Sequence, residues 1–175
     1  MVKLSREDWL SLGLATLEVE GFTALKADKL TRKAGVTRGS FYGYFADVAA
    51  FHAAVLEAWS DGSRKIAAKL ASLPAEERLK GLISASAETS GALERAVRAW
   101  AQSDPMAARA VAALDAFRIE TLIATFEDLG LAPSDARTRA KLLYAAAMGA
   151  MIVPKDTIKL SADDLAAFAE LISRG

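Results

Sequence analysis

The sequence predicts an all-α protein of about nine helices, with a short helix-turn-helix segment followed by a larger helical region. Apolar side chains recur at three- and four-residue spacing along most of the chain, and helix-capping residues precede these stretches. No strand-like alternation of apolar and polar residues is bounded by turns. Because 53% of the 175 residues are hydrophobic, the chain can bury a core, which excludes a disordered protein.

The first helix is predicted to begin at Ser5, because Ser5 and Asp8 have the spacing of a capping box. An apolar stripe follows at helical spacing, formed by Leu10, Leu14 and Leu17 with the neighbouring Ala15. Gly21 is expected to end this helix, since glycine tolerates the backbone conformation that closes a helix.

Two short helices are predicted before Asp47, because glycines at three closely spaced positions interrupt this stretch: Gly35, Gly39 and Gly43. Thr37 is the expected N-cap of the second short helix. The expected inward residues are Leu25, Ala27, Leu30 and Ala34 in the first, and Phe41 with either Tyr44 or Phe45 in the second. Two short helices joined by a glycine-containing turn are typical of a helix-turn-helix.

Longer helices are predicted after this segment, each opened by a capping residue or a proline: Asp47, Pro74, Asp104, Pro133 and Ser161. Gly130 is expected to close the helix that begins near Asp104, and Pro154 interrupts the one that begins at Pro133. The expected architecture of this region is therefore a bundle of long amphipathic helices.

Basic side chains are concentrated in residues 22–45, although the chain as a whole carries no formal net charge. This segment has a charge of +4, because it contains one acid, Asp28, and five bases: Lys26, Lys29, Arg32, Lys33 and Arg38. On charge alone, a solvated helix face is the simpler interpretation. The small, polar and aromatic sequence of residues 37–44 instead favours a surface that enters the DNA major groove.

Residues 14–59 resemble the N-terminal region of the TetR family of transcriptional regulators. The resemblance is carried above all by Ala34-Gly-Val-Thr-Arg-Gly-Ser-Phe-Tyr-Gly-Tyr-Phe45, and by Gly21-Phe22 after the first helix. It implies a helix-turn-helix DNA-binding domain in residues 1–47 and a helical effector-binding and dimerisation domain in residues 48–175. The rest of the chain is similar to the family in its helical architecture.

The resemblance also implies which residues meet DNA: Lys26, Thr37, Arg38, Gly39, Ser40, Tyr42 and Tyr44. Arg38 and Ser40 would face base edges or the backbone, and the two tyrosines would donate to phosphates. Phe41 and Phe45 would anchor the recognition helix in the core.

Four positions depart from the family pattern and put individual phosphate contacts in doubt. Lys26 stands where the family usually has a Thr or Ser cap, and Asp28 stands where a basic residue is common. Thr31 replaces the Ala that usually packs the turn, and Val48 replaces a basic residue that binds phosphate. These departures leave the helix-turn-helix pattern itself intact.

An effector pocket, implied by the resemblance, would be lined by large or adaptable side chains on different helices: Trp59, Trp100, Met106, Phe117, Tyr144 and Met148. For each of these residues alone, core packing is the simpler explanation. Arg98, Asp115 and Arg118 would supply a polar contact in the pocket or pair with one another on the surface.

A dimer interface is the third implied site, in the two C-terminal helices: Leu143, Ala147, Ala150, Leu165, Phe168 and Ile172. The alternative is that these residues only cover the core of their own chain. A two-fold dimer would present two recognition helices to half-sites of a palindromic operator, about 34 Å apart.

The expected function is a homodimeric, sequence-specific DNA-binding transcriptional regulator, a repressor that a small-molecule effector releases from its palindromic operator. The alternative is a helical small-molecule-binding or interaction protein with a degenerate DNA-binding head, which Asp28 and Val48 favour. An enzyme, a metal site and a cofactor are not expected, because the chain has no cysteine and a single histidine, His52. The charged N-terminal stretch and the shortness of every uncharged run predict a cytoplasmic protein that does not enter a membrane.

Overall fold

A computed structural model describes residues 4–88, 91–153, 157 and 160–173. In these residues the chain forms nine α-helices and one 3₁₀ turn, without a strand, which confirms the predicted all-α class. The helices are α1 (Arg6–Glu20), α2 (Ala27–Ala34), α3 (Arg38–Tyr42), α4 (Val48–Leu70), α5 (Ala75–Glu88), α6 (Gly91–Ala101), α7 (Pro105–Asp128), α8 (Pro133–Ile152) and α9 (Ala162–Ser173), and the turn is Phe22–Ala24. Pro154, the predicted interruption after α8, lies outside the described residues.

The predicted helix boundaries are set by side chains that bind the first free backbone N–H groups of each helix. Ser5 and Asp8 form the capping box of α1, in which the Asp8 N–H donates to Ser5 Oγ at 3.1 Å. Asp47 Oδ1 accepts from the Ala50 N–H at 2.7 Å and so fixes the start of α4. Asp104 accepts from two N–H groups of α7, at 2.8 and 3.1 Å, and the Ala107 N–H holds the pKa of this carboxyl below its ordinary value.

The helices pack as two compact units. The first comprises residues up to Asp61 together with Ala92–Ala112, and the second comprises Gly62–Gly91 and the residues from Ala113 onward. The helix-turn-helix thus shares a unit with the start of α4 and with most of α6. The sequence divides the chain by function at residue 47, into a DNA-binding domain and an effector-binding and dimerisation domain. This division stays a prediction.

The core of the first unit is a cluster of aromatic side chains. Phe41 is fully buried and lies 5.4 Å from Trp9, 5.3 Å from Phe45 and 5.2 Å from Phe51, measured between ring centroids. Helices α1 and α4 contribute one ring each, and the other two come from α3 and the residues after it. The cluster therefore holds α3 against the two longer helices.

The buried face of α1 differs from the predicted stripe. Its buried residues are Trp9, Gly13, Thr16 and Leu17. Leu10 and Leu14 are only half-buried and Ala15 is exposed, so the prediction was wrong for these three positions. Gly13 explains the shift, because α4 approaches so closely that a Cβ at this position would lie 2.7 Å from Phe51 Cζ and 2.9 Å from Val55 Cγ2.

The core of the second unit joins α5, α7, α8 and α9. Its buried members are Leu79, Ile83, Leu122, Ile123, Phe126, Leu131, Ala136, Ala140, Leu143 and Ala169. Gly130, with a φ of 88°, closes α7 as predicted, and places Leu131 in this core. Arg78 of α5 pairs with Asp128 at the end of α7.

We expect Gly13→Ala to lower the free energy of unfolding by about 1–2 kcal/mol, because overpacking outweighs the gain of about 1 kcal/mol in helix propensity. Gly62→Ala is the matched control. A Cβ there meets nothing within 4 Å, so the same exchange should be neutral or stabilise the protein. Urea unfolding followed by circular dichroism compares the two variants, and equal effects would contradict the close packing of α1 on α4.

Candidate nucleic-acid interface

The turn between α2 and α3 is built by Gly35, which has a φ of 65°. This left-handed conformation favours glycine, because a Cβ would crowd the backbone. The Val36 N–H donates to the Thr31 carbonyl oxygen at 3.0 Å and closes the end of α2. The chain therefore reverses sharply and begins α3 three residues after the turn glycine.

Helix α3 is only five residues long, and two phenylalanines attach it to the first unit. Phe41 and Phe45 are both buried, which resolves the choice that the sequence left open between Tyr44 and Phe45. With these rings inside, the tyrosines turn outward: Tyr42 is 49% exposed and Tyr44 is 39% exposed.

The structure places six of the seven predicted DNA-contacting residues on α3 or directly beside it. Arg38, Gly39 and Tyr42 are exposed on the helix, Ser40 is half-buried, and Thr37 and Tyr44 are exposed at its two ends. The seventh, Lys26, is the exposed N-cap residue of α2. A basic, hydroxyl-bearing and aromatic surface is therefore present at α3.

Thr37 is the N-cap residue of α3, as predicted, but its side chain makes no capping hydrogen bond. Its hydroxyl oxygen lies 3.4 Å from the Ser40 Oγ. The Thr37 carbonyl oxygen instead accepts from the Ser40 N–H at 3.0 Å. The expectation of a side-chain cap was therefore wrong, since the hydroxyl turns towards another hydroxyl.

Three of the five basic side chains of residues 22–45 form ion pairs. Lys29 and Lys33 both pair with Glu20 at the end of α1, and Lys33 Nζ also donates to Thr16 Oγ1 at 3.3 Å. Lys29 above all, and then Lys33, hold the pKa of the Glu20 carboxyl below its ordinary value. Glu20 links α1 to α2 and lowers the local positive charge.

Arg38 forms the third ion pair, with Asp28 of α2. Lys26 and Arg32 make no ion pair with any residue that the structure describes, and both are exposed. The sequence alone does not reveal these three ion pairs, because nine to thirteen positions separate the partners. Only the fold brings them together.

A second aromatic group joins α4 and α6 to the 3₁₀ turn. Phe22 stacks on Trp100 with ring centroids 5.1 Å apart, and the His52 ring lies 5.2 Å from Trp100. His52 Nε2 lies 2.8 Å from the Leu25 carbonyl oxygen, just before α2. His52 is thus at the edge of the core, and it connects α4 to the start of the helix-turn-helix.

The predicted effector-pocket residues divide between the two units. Trp59, Trp100 and Met106 belong to the first, while Phe117, Tyr144 and Met148 belong to the second. Trp59 and Trp100 are buried, and the other four are half-buried. The stacking of Trp100 on Phe22 shows that this residue also serves as core of the first unit.

The polar residues considered for the pocket have partners on their own or a neighbouring helix. Asp115 accepts from the Tyr144 hydroxyl, which joins α7 to α8. Arg118 Nη2 donates to the Ser63 Oγ at 2.8 Å, which joins α7 to α4. Arg98 pairs with the buried Glu94 one turn earlier on α6, at 2.8 Å.

Most of the predicted dimer-interface residues pack on their own chain. Leu143 is a buried member of the core of the second unit, and Leu165, Phe168 and Ile172 pack against that core. Ala147 is half-buried and Ala150 is exposed. The large apolar side chains that point outward on α8 and α9 are instead Leu142, 65% exposed, and Leu171, 71% exposed.

The part of the chain that the structure describes contains neither a metal-ligand cluster nor a membrane-spanning helix. No group of three His, Asp or Glu side chains is placed to hold a metal ion there. None of the helices in that part combines the length and the hydropathy needed to cross a membrane.

We expect the pKa of Glu20 to rise towards its ordinary value in Lys29→Ala, and less in Lys33→Ala. A lowered native pKa means that Glu20 adds stability above its ordinary pKa of 4.5, and that this contribution is lost as the pH falls below it. Carboxyl ¹³C NMR titration measures the shift. A pKa of Glu20 that is the same in wild type and both variants would contradict the ion pairs.

The sequence matches no protein-family model, and it matches no curated protein. The fold, in contrast, matches solved structures over nearly the whole chain. The structure of NemR from E. coli in its reduced form has a TM-score of 0.77 and 24% sequence identity, with 95% of this chain and 96% of that chain covered.

Two further similar structures are described as transcriptional regulators. One is the ketosteroid transcriptional regulator KstR2 of Mycobacterium tuberculosis (TM-score 0.68, 18% identity, 99% of this chain and 95% of that chain covered). The other is a regulator of the TetR/AcrR family from Thermobifida fusca (TM-score 0.66, 18% identity, 97% of each chain covered). The chain therefore has the fold of TetR-family transcriptional regulators.

Proposed function

We propose that this protein is a sequence-specific DNA-binding transcriptional regulator of the TetR family. The observation that carries the proposal is α3, a five-residue helix seated by Phe41 and Phe45 with Arg38, Tyr42 and Tyr44 exposed. The shared fold with TetR-family regulators supports the same assignment.

In the proposed complex, α3 lies in the major groove with its first residues nearest to the bases. Arg38 is the first residue of α3, where a guanidinium can donate to the edge of a guanine. Gly39 carries no side chain that would hold the backbone away from the DNA. Tyr42, Tyr44, Ser40 and Thr37 would donate hydroxyl groups to phosphates, and Lys26 would approach the backbone from the start of α2.

The proposed regulator is a repressor that a small-molecule effector releases from its operator. The effector domain would be residues 48–175, and the DNA-binding domain residues 1–47. Effector binding needs only to favour a state of the dimer whose recognition helices do not fit the operator. Tyr144, whose hydroxyl is already oriented by Asp115, is a candidate for a polar contact with the effector.

The protein is further proposed to act as a homodimer, formed through α8 and α9. Leu142 and Leu171 expose apolar side chains on these helices. Ala146 and Ala150 follow Leu142 at four-residue intervals and are also exposed, so one face of α8 is apolar and allows a close approach. The six interface residues named from the sequence stay part of this proposal, and Leu142 and Leu171 extend it to the adjacent outward face.

We expect full-length wild-type protein to bind duplex DNA from its own upstream region with strong salt dependence. With two or three phosphate contacts by each of two protomers, the slope of log K against log salt should be about −4 to −5. Arg38→Ala should weaken specific binding by about 1–3 kcal/mol. Fluorescence anisotropy measures both, and Arg137→Ala, an exposed arginine on α8, is the control that should bind like wild type.

Duplex binding without salt dependence, or an absence of binding, would contradict the proposal. The alternative would then be preferred, namely a helical small-molecule-binding or interaction protein with a degenerate DNA-binding head. Asp28 and Val48 are the residues that favour this alternative. Unchanged affinity in Arg38→Ala, with intact wild-type binding, would instead refute only the proposed role of α3.

We expect Leu142→Glu and Leu171→Glu each to raise the dimer dissociation constant by about tenfold or more, because a carboxylate would be buried without a partner. Val19→Glu is the control, since Val19 is an exposed apolar residue on α1 and 81% exposed. Sedimentation equilibrium gives the constants. If all three variants dimerise like wild type, the interface does not involve this face of α8 and α9.

A further inference from the structure

The pairing of Asp28 with Arg38 connects the two helices of the helix-turn-helix through their side chains. Asp28 is the second residue of α2 and Arg38 the first residue of α3. Both side chains are exposed, at 51% and 67%, so the pair contributes little to folding stability. Its position on the surface proposed to face DNA makes another role worth testing.

The choice of partner is specific. Asp28 and Arg32 lie four residues apart on α2, the spacing at which oppositely charged side chains on one helix commonly pair. The carboxylate of Asp28 instead meets Arg38 across the turn, while Arg32 makes no ion pair with a described residue. The other acid near this surface, Glu20, is engaged by Lys29 and Lys33.

The backbone that carries Asp28 is itself well supported. Thr31 is buried and its hydroxyl donates to the Asp28 carbonyl oxygen at 3.3 Å. The Thr31 side chain and the Asp28 backbone, at two positions that depart from the family pattern, thus belong to one local arrangement. The short Asp28 side chain extends from this supported backbone and meets a long arginine that would otherwise sample many rotamers.

The contact also leaves most of the guanidinium available. A single nitrogen of Arg38, Nη2, donates to a single oxygen of Asp28, Oδ2. A guanidinium carries five N–H donors, so a pair of parallel donors remains for the edge of a base. Asp28 can therefore hold Arg38 in place without occupying the donors that recognition requires.

We infer that Asp28 is a specificity-determining positioning residue, which acts through Arg38 and fixes its guanidinium for reading one base pair in each half-site. The inference rests on the proposed function, because it requires that α3 meets DNA. A carboxylate that merely repelled phosphates would weaken binding to every duplex equally. A positioning carboxylate instead raises the affinity for the preferred sequence relative to others.

The test begins with selection from a randomised duplex library by full-length wild-type protein, which supplies the preferred sequence. Affinities are then measured for the selected duplex and for a scrambled duplex of equal composition. Asp28→Asn should lower the ratio of these affinities by about three- to tenfold, since the base contact of Arg38 becomes less ordered. Asp28→Glu, which keeps the carboxylate, should restore part of the ratio.

Two controls separate positioning from charge. Glu20→Gln removes the same charge from the same surface, but it should change both affinities alike, because Glu20 binds Lys29 and Lys33. In an Arg38→Ala background, Asp28→Asn should have no further effect on the ratio, since Asp28 acts only through Arg38. An unfolding temperature of Asp28→Asn close to that of the wild type would show that the fold is intact.

Three results would each overturn the inference. Asp28→Asn could raise both affinities equally, or it could leave the ratio of the two affinities unchanged. It could also change that ratio equally with Arg38 and with Ala at position 38. Failure of the proposed function has a different signature. In that case the wild-type protein enriches no sequence from the library and binds neither duplex, and the inference falls with it.

Discussion

A helix of five residues cannot hold its own conformation in water, so the packing of Phe41 is the constraint on which the proposed DNA-binding surface depends. Phe41 contacts rings from α1 and α4 and from the residue that follows α3 by three positions. Because this ring points inward, Arg38, Tyr42 and Tyr44 point outward. The composition of the exposed surface is thus a consequence of how the core is filled.

Electrostatics adjust this surface without defining its shape. Glu20 and Asp28 engage three of the basic side chains, and these ion pairs join α1 to α2 and α2 to α3. Exposed pairs of this kind add little to stability and are weakened by salt. Their effect is to restrict where the cations are found, which matters for recognition more than for folding.

Much of the fold followed from local sequence signals. The capping residues Ser5, Asp47 and Asp104 set helix starts, and Gly35 sets the turn, because each acts on backbone groups within a few residues. The buried face of α1 did not follow in the same way. Because Gly13 has no side chain, α4 approaches α1 closely and Trp9 is buried. Hydrophobic periodicity predicts neither the close contact nor the burial of Trp9.

The site was predictable to a similar extent. Spacing placed Arg38, Tyr42 and Tyr44 on one short helix, although α3 ends at Tyr42, and the family resemblance suggested their role. The partners of Arg38 and Lys33 were not predictable, because Asp28 and Glu20 reach them only across tertiary contacts. The outward face of α8 was also missed: Leu142 and Leu143 are adjacent in the sequence, and only packing decides which of them is buried.

The most direct test of the account is backbone amide exchange of the full-length protein, measured with and without a duplex that it has selected from a random library. When the duplex is bound, the backbone amides between Lys26 and Tyr44 should exchange more slowly, above all those of α3 and of the start of α2. Exchange should also slow at the flanks of this segment. Protection confined to α8 and α9, or an unchanged α3 in a protein that binds the duplex, would contradict it.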